Sequence, residues 1–328
     1  MIIDLREPSE EEYRFATYLH YVDSLRNLIT YYHNPLGALL MLCRDSTHFA
    51  HIQRNTSADI ARIALKLRNA WSTELSLRFT GLLGNGLVRY ANHWAPVQTY
   101  YSAYLAAQGF FLACNRSESR SHSSGLSQLA ADIGDGRLIM PAPLSALSIS
   151  TTITDTTGFS EVPTNITITP VSSIAHTSSN NWWNLYALAL RTTRERLLEE
   201  RVDQWRRQNK TAGGKPRKNV PASVRSDQDT ALRPVSIFDF LYRMRIRSNY
   251  RDADTFLEQR VSDQEAAQFN TALLDIEYTL LLVLEAHIRQ HIGRDAYANI
   301  VQDFVAKVPD IVETIPVEQR LQLIEQYC

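Results

Sequence analysis

Residues 100 to 107, Tyr100-Tyr101-Ser102-Ala103-Tyr104-Leu105-Ala106-Ala107, decide the fold class of this chain. Aromatic rings recur at helical steps, while Ala103, Ala106, Ala107 and Gly109 stay small. The rings can fill an interior, and the small positions let a partner helix approach closely. Pro96 stands just upstream, where the first turn of a helix has no use for the missing N–H. The stretch therefore predicts a buried helix through Leu112, and any tight helical bundle would be written this way.

Toward the N-terminus, residues 10 to 95 read as several helices. Tyr13, Phe15, Tyr18, His20 and Tyr21 lie at helical steps, and Asn34-Pro35 breaks the next apolar run. Asn55-Thr56-Ser57 precedes a periodic segment from Ala58 to Leu67, a helix start with its cap. A further helix is expected from Trp71 to Leu83, stopped by Gly84-Asn85-Gly86.

Beyond Gly136 the character changes. Residues 144 to 179 are crowded with Ser and Thr, and the alternation in Ile149–Ile153 and Asn165–Thr169 predicts strands. Helix returns at Trp182 and continues to about Gln208. Residues 209 to 233, rich in Gly, Pro, Lys and Arg, predict a mobile loop. Ser236 is an expected N-cap, the apolar run Thr271–Leu284 belongs to a long helix ending near Gly293, and Val317–Ile324 is amphipathic.

With 328 residues the chain exceeds one compact helical core. No stretch approaches the ~18 consecutive apolar residues of a membrane span, and the first residues turn acidic at once, so a soluble cytoplasmic protein without membrane contact is expected. Cys43, Cys114 and Cys328 are too dispersed for a disulfide framework or a paired metal motif. Phosphate-loop, nucleophile-elbow and zinc-helix signatures are absent. His287 and His291 have the i, i+4 spacing of metal ligands, but the only nearby carboxylate, Glu285, points to another face; neither a metal nor a cofactor is expected.

A net charge of −1 attracts no polyanion globally, so any nucleic-acid affinity must be local. Two segments supply it. The first is Arg206, Arg207, Lys210, Lys215, Arg217 and Lys218, a basic arm without an acid inside it, suited to sequence-independent phosphate contact. The second is Arg243, Arg245, Arg247 and Arg251, which would repel one another unless phosphate or carboxylate pairs them. Asp252 and Asp254 are candidate internal partners, Asp254 with Arg247 locking the turn. A surface charge run can equally serve solubility alone.

Three pieces in order, the aromatic helix at 100–107, the turn His122-Ser123-Ser124-Gly125-Leu126, and the run from Arg243 through Tyr250 to Asp254, resemble the HEPN superfamily, nearest to YaaC-like proteins and the small HEPN proteins of defence and toxin–antitoxin loci. Tyr250 precedes Asp254 here, the reverse of the family order. Arg116 and His122 match the Arg-x(4 to 6)-His spacing of catalytic HEPN ribonucleases, although there the motif usually lies in a later helix with a polar residue, commonly Asn, after the Arg, whereas here Ser117 follows, in a loop. The resemblance implies a mainly α protein: a HEPN-like four-helix bundle split between 96–139 and 236–295. To it are added N-terminal helices (1–95), a Ser/Thr-rich β-containing insertion with the basic loop (140–235) and a helical tail (296–328).

The implied function is nucleic-acid-directed, as an RNase or degenerate RNase of prokaryotic anti-phage defence or a toxin–antitoxin pair. If an enzyme, it is a metal-independent endoribonuclease. His122 would take the 2′-hydroxyl proton, with Arg247 and Arg116 balancing phosphate charge. Arg243, Arg245, Arg251 and the basic arm would hold RNA, and Tyr250, Asp254 and Gly125 would shape turns. A homodimer, or a partner protein of the same locus, is implied. The alternative class is a noncatalytic protein-interaction subunit.

Overall fold

The computed structural model describes residues 10–82, 85–151, 155–169, 178–211, 213–251, 262–308 and 315–328. Among them the chain is mainly helical, with one two-stranded sheet. No helix among them is long and apolar enough to cross a membrane. The chain divides into two compact units, a discontinuous one of residues 1–118 and 241–328 and a continuous one of residues 119–240.

In the discontinuous unit, α1 (Glu10–Tyr32), α2 (Gly37–Arg44), α3 (Thr47–Ala50), α4 (Ile60–Leu82), α5 (Asn85–Ala91) and α6 (Ala95–Ala113) precede the excursion. The expected breaks are only partly real. One helix, α4, runs through both segments that the sequence separates at Trp71, because nothing between Leu67 and Trp71 interrupts the apolar stripe Ile63, Leu67, Trp71. Its start is bonded by the Asp59 carboxylate, which accepts from the Arg62 N–H, whereas the Asn55 side chain closes a turn onto Ser57. Pro96 does sit in the first turn of α6.

The later helices of this unit are α11 (Asp263–Ile292), α12 (Arg294–Val305) and α13 (Pro316–Tyr327). Ser262 and Glu265 form a reciprocal capping box at the start of α11, and Gly293, at φ 91°, ends it in a conformation that glycine adopts without strain. Every residue from Thr279 to Ile288 is buried. A helix buried all round must be covered on every side; α6, α4, α5 and α1 pack on it.

The continuous unit holds α7 (His122–Gly134), the antiparallel pair β1 (Leu147–Ser148) and β2 (Phe159–Ser160), α8 (Ser179–Gln208) and α9 (Ala222–Thr230). Helix α10 (Ile237–Ile246) begins in it and ends in the other unit, after the expected N-cap Ser236. Helices α6 and α7, expected within one bundle half, thus fall in different units.

Two local expectations are corrected. Residues 166–169 are not a strand: the Thr169 N–H and carbonyl are bonded by the Asn184 side-chain amide (2.8 and 3.3 Å), which occupies the groups a strand partner would need. The strand expected at 149–153 is shorter and earlier, at Leu147–Ser148; residues 152–154 lie outside the described ones. The expected mobile loop 209–233 contains α9, held because Arg194 of α8, fully buried, donates to Asp229 Oδ1 (2.8 Å) and to the carbonyls of Arg233 (2.8 Å) and Asp229 (2.5 Å).

Candidate functional site

The arginine run begins on α10 and enters a π-helical turn at Arg247–Arg251. Its residues do not share one environment. Arg245 is buried: its Nη2 donates to the Tyr101 hydroxyl (2.6 Å), and its guanidinium lies 5.0, 5.6 and 5.9 Å from the ring centres of Tyr101, Tyr242 and Tyr100. Aromatic faces and a phenol thus replace the phosphate expected for this residue, a kind of contact that reaches about 2 kcal/mol when desolvated. Tyr100 also stacks on Tyr104 (5.4 Å), so the quoted aromatic stretch is both packing and arginine receptor.

Arg243 and Arg247 are half-buried. Tyr250 and Arg251 fall within the π-helical turn, and Asp252 and Asp254 lie outside the described residues, so the expected Arg247–Asp254 lock does too.

His122 is the first residue of α7 and half-buried. The cap is Ser121, whose hydroxyl accepts from the Ser124 N–H while Ser124 reciprocates, so the imidazole is not needed for capping. Gly125 is buried one turn in. His122 belongs to the continuous unit, whereas Arg116 and Arg247 belong to the discontinuous one. The Arg116 guanidinium covers Phe111 and Phe110 at 4.7 and 5.5 Å.

The basic arm is the most exposed of the expected sites. Arg206 is bonded by Asp203 (2.7 Å), and Arg207 donates to the Asp203 carbonyl. Lys210, Lys215, Arg217 and Lys218 are exposed and make no ion pair among the described residues. Their backbone is not featureless: the Thr211 N–H donates to the Lys215 carbonyl (2.8 Å), a Lys210–Pro216 bridge flanks it, and Gly214 supplies φ 74°. A closed turn therefore presents these four cations.

A buried ionic network went unforeseen. Arg320 of α13 is fully buried and donates through Nη1 and Nη2 to both oxygens of Glu74 (2.8 and 2.9 Å) and through Nε to Glu285 (2.9 Å). Trp71 Nε1 and the Tyr297 hydroxyl also donate to Glu285, both at 2.7 Å, and Arg78 reaches Glu74. Glu277, next to this network, is buried, and among the described residues neither of its oxygens has a hydrogen-bond partner; the nearby Ser102 hydroxyl is committed to the Ala70 carbonyl. Burial, then repulsion by Glu74, drives the Glu277 carboxyl well above the usual range, so it carries a proton. With that proton, the remaining carboxylates Glu74 and Glu285 are matched by Arg320 and Arg78.

The sign of the pH effect follows. A carboxyl whose folded value is raised stabilises fully below its ordinary value, and this contribution is lost as pH rises toward the folded value. Glu277→Gln keeps the shape and removes the titration. Relative to this variant, the unsubstituted chain is expected to lose up to about 1.4 kcal/mol per pH unit above about pH 4.3. Urea midpoints of both proteins across pH 5–9 check this, and parallel profiles would refute it.

The histidine pair does not face one ligand. His287 is buried with Nδ1 on the Val283 carbonyl and its ring edge-on to Phe49, and burial lowers its pKa to about 4. Among the described residues no group of three or more side chains could hold a metal ion. No protein-family model, curated protein or solved structure matches the sequence.

Proposed function

We propose that the chain is a nucleic-acid-directed helical protein of the HEPN type that holds phosphate through the segment Arg206–Lys218. The observation that carries this reading is the turn at Thr211–Lys215 with Lys210, Lys215, Arg217 and Lys218 exposed around it. Cations free of protein carboxylates release condensed counterions when they meet phosphate, and this term needs no favourable net charge. The resemblance extends the proposal to a homodimer and to a role in prokaryotic defence or a toxin–antitoxin pair.

Binding without cleavage, as in a degenerate relative, is the form we favour. Ser117 follows Arg116, and Arg116 lies over phenylalanine rings. The test measures affinity for transfer RNA and for a single-stranded oligonucleotide over a range of salt. Replacing all four exposed cations by alanine is expected to reduce the slope of log K against log salt by about 3 on the single strand. An unchanged slope rejects the arm. In the same assay His122→Ala and Arg247→Ala are expected to bind normally; cleavage by the unsubstituted chain that either variant abolishes would make it a ribonuclease instead.

A second reading, the noncatalytic protein-interaction subunit, is favoured by a different surface. Phe79 and Leu82 of α4, Leu87 and Tyr90 of α5, and Trp94 are all exposed large apolar side chains. Nucleic-acid binding that is weak and independent of the arm would shift the balance to it.

A further inference from the structure

Cys114 caps the C-terminal end of α6, and His291 lies in the last turn of α11. Their side chains meet, with Sγ 3.2 Å from Nε2. One residue fixes both helix ends: the Asn55 backbone N–H donates to the His291 carbonyl (2.7 Å), and its side-chain Nδ2 donates to the Ala113 carbonyl (2.9 Å), next to Cys114. Both Cys114 and His291 are half-buried, so a small reagent can reach a pair whose geometry the bundle sets. Hydrogen-bond contact between a thiol and an imidazole, with the backbone of each held in place, is the arrangement of an activated nucleophile.

We propose that Cys114 and His291 form a nucleophile–base pair, a modification site whose thiol is taken by disulfides of small thiols. When Nδ1 carries the ring proton, Nε2 accepts the thiol proton as sulfur attacks. The Cys114 sulfur bonds to one sulfur of the disulfide, the S–S bond breaks, and the other half leaves as a thiolate with the electron pair. That leaving group then takes the proton from Nε2. Cys114 is thereby oxidised to a mixed disulfide and half of the reagent is reduced, so no further reactant is needed.

Burial above all, then the nearby His48 and Arg116, lowers the imidazole pKa to about 4, so the ring is a weak base at rest. The ring is therefore neutral near pH 7 with a lone pair open to a proton. The two helix C-termini, by contrast, disfavour a standing thiolate. Proton transfer accompanies attack instead of preceding it. The other cysteines are internal controls: Cys43 is fully buried with its thiol pushed far up, and burial pushes Cys328 up to about 11.

The experiment treats the intact chain with dithionitrobenzoate at pH 7 and follows each cysteine by peptide mass. Cys114 is expected to react about tenfold or more faster than Cys43 and Cys328, and His291→Ala to slow it about tenfold while leaving Cys43 protected. A Cys114 rate unchanged by His291→Ala, or no faster than that of Cys328, overturns the proposal. If His291→Ala exposes Cys43 by unfolding, the pH profile of the unsubstituted chain decides. An unassisted thiol loses about tenfold in rate per unit below about pH 8.5, and that steep fall at Cys114 also overturns it, whereas a shallower one supports it.

Discussion

Arg320→Ala is expected to destabilise the discontinuous unit by about 3–5 kcal/mol, the range for removing one member of a buried ion pair. Set against a typical total of about 5–15 kcal/mol, this is enough to leave the unit marginal. The loss is not that of one attraction. Arg320 spans Glu74 and Glu285, on α4 and α11, and its removal leaves both carboxylates buried with one fewer cation between them. Arg320→Lys should rescue only part, because a single ammonium cannot reproduce two parallel bonds to Glu74 and a third to Glu285. Glu74→Gln and Glu285→Gln combined with Arg320→Met should recover more than Lys does, because no buried carboxylate is then left without a cation. Urea denaturation of the four proteins checks the order, and an Arg320→Ala variant within 1 kcal/mol of the unsubstituted chain, well under that range, would refute it.

Arg194→Met is expected to cost about as much, ~3–5 kcal/mol, in the other unit. Its guanidinium satisfies the buried Asp229 carboxylate and the carbonyls of Asp229, Leu232, Arg233 and Ser148, so one truncation orphans groups on α9, β1 and the segment before α10. Asp229 in turn accepts from the Thr151 N–H (2.8 Å) and Ser150 Oγ. Hydrogen exchange should show lost protection at 147–151 and 222–235 while α8 upstream of residue 194 keeps its own. Uniform loss over the whole chain, or none, would contradict that assignment.

Helices were legible from apolar stripes and caps, although the uninterrupted stripe of α4 was divided at Trp71. The helix around Tyr100, the one ending at Gly293 and the one from Trp182 to Gln208 all follow from period and caps. Strands were not legible at 165–169, since β-branched alternation states only that a residue suits a sheet, and pairing requires a partner that sequence does not name. Asn184 took that partner's place. The 222–230 helix was hidden for a related reason: its anchor, Arg194, comes from a segment read only as a helix.

The candidate site shows the same limit. Exposure of Lys210 to Lys218 was legible because nothing apolar accompanies them, but four nearby arginines gave no sign that Arg245 turns inward to three tyrosines. The buried network left a trace that could have been read. Glu74 lies on the stripe Leu67, Trp71, Leu77, and Arg320 on the stripe Val317, Ile324, which puts opposite charges on core faces. Matching them required knowing that α4 and α13 meet.

The division of the chain also orders events during synthesis. Residues 119–240 are contiguous and emerge as one block, so their unit has all its parts while the ribosome is still translating. The first 118 residues leave the exit tunnel much earlier yet must wait for α11, which fills their centre, and for Arg320, which neutralises Glu74. During that interval α4 and α6 can cover one another only on the faces they share, and the sides that α11 fills stay open, the condition under which nascent chains recruit holdase chaperones.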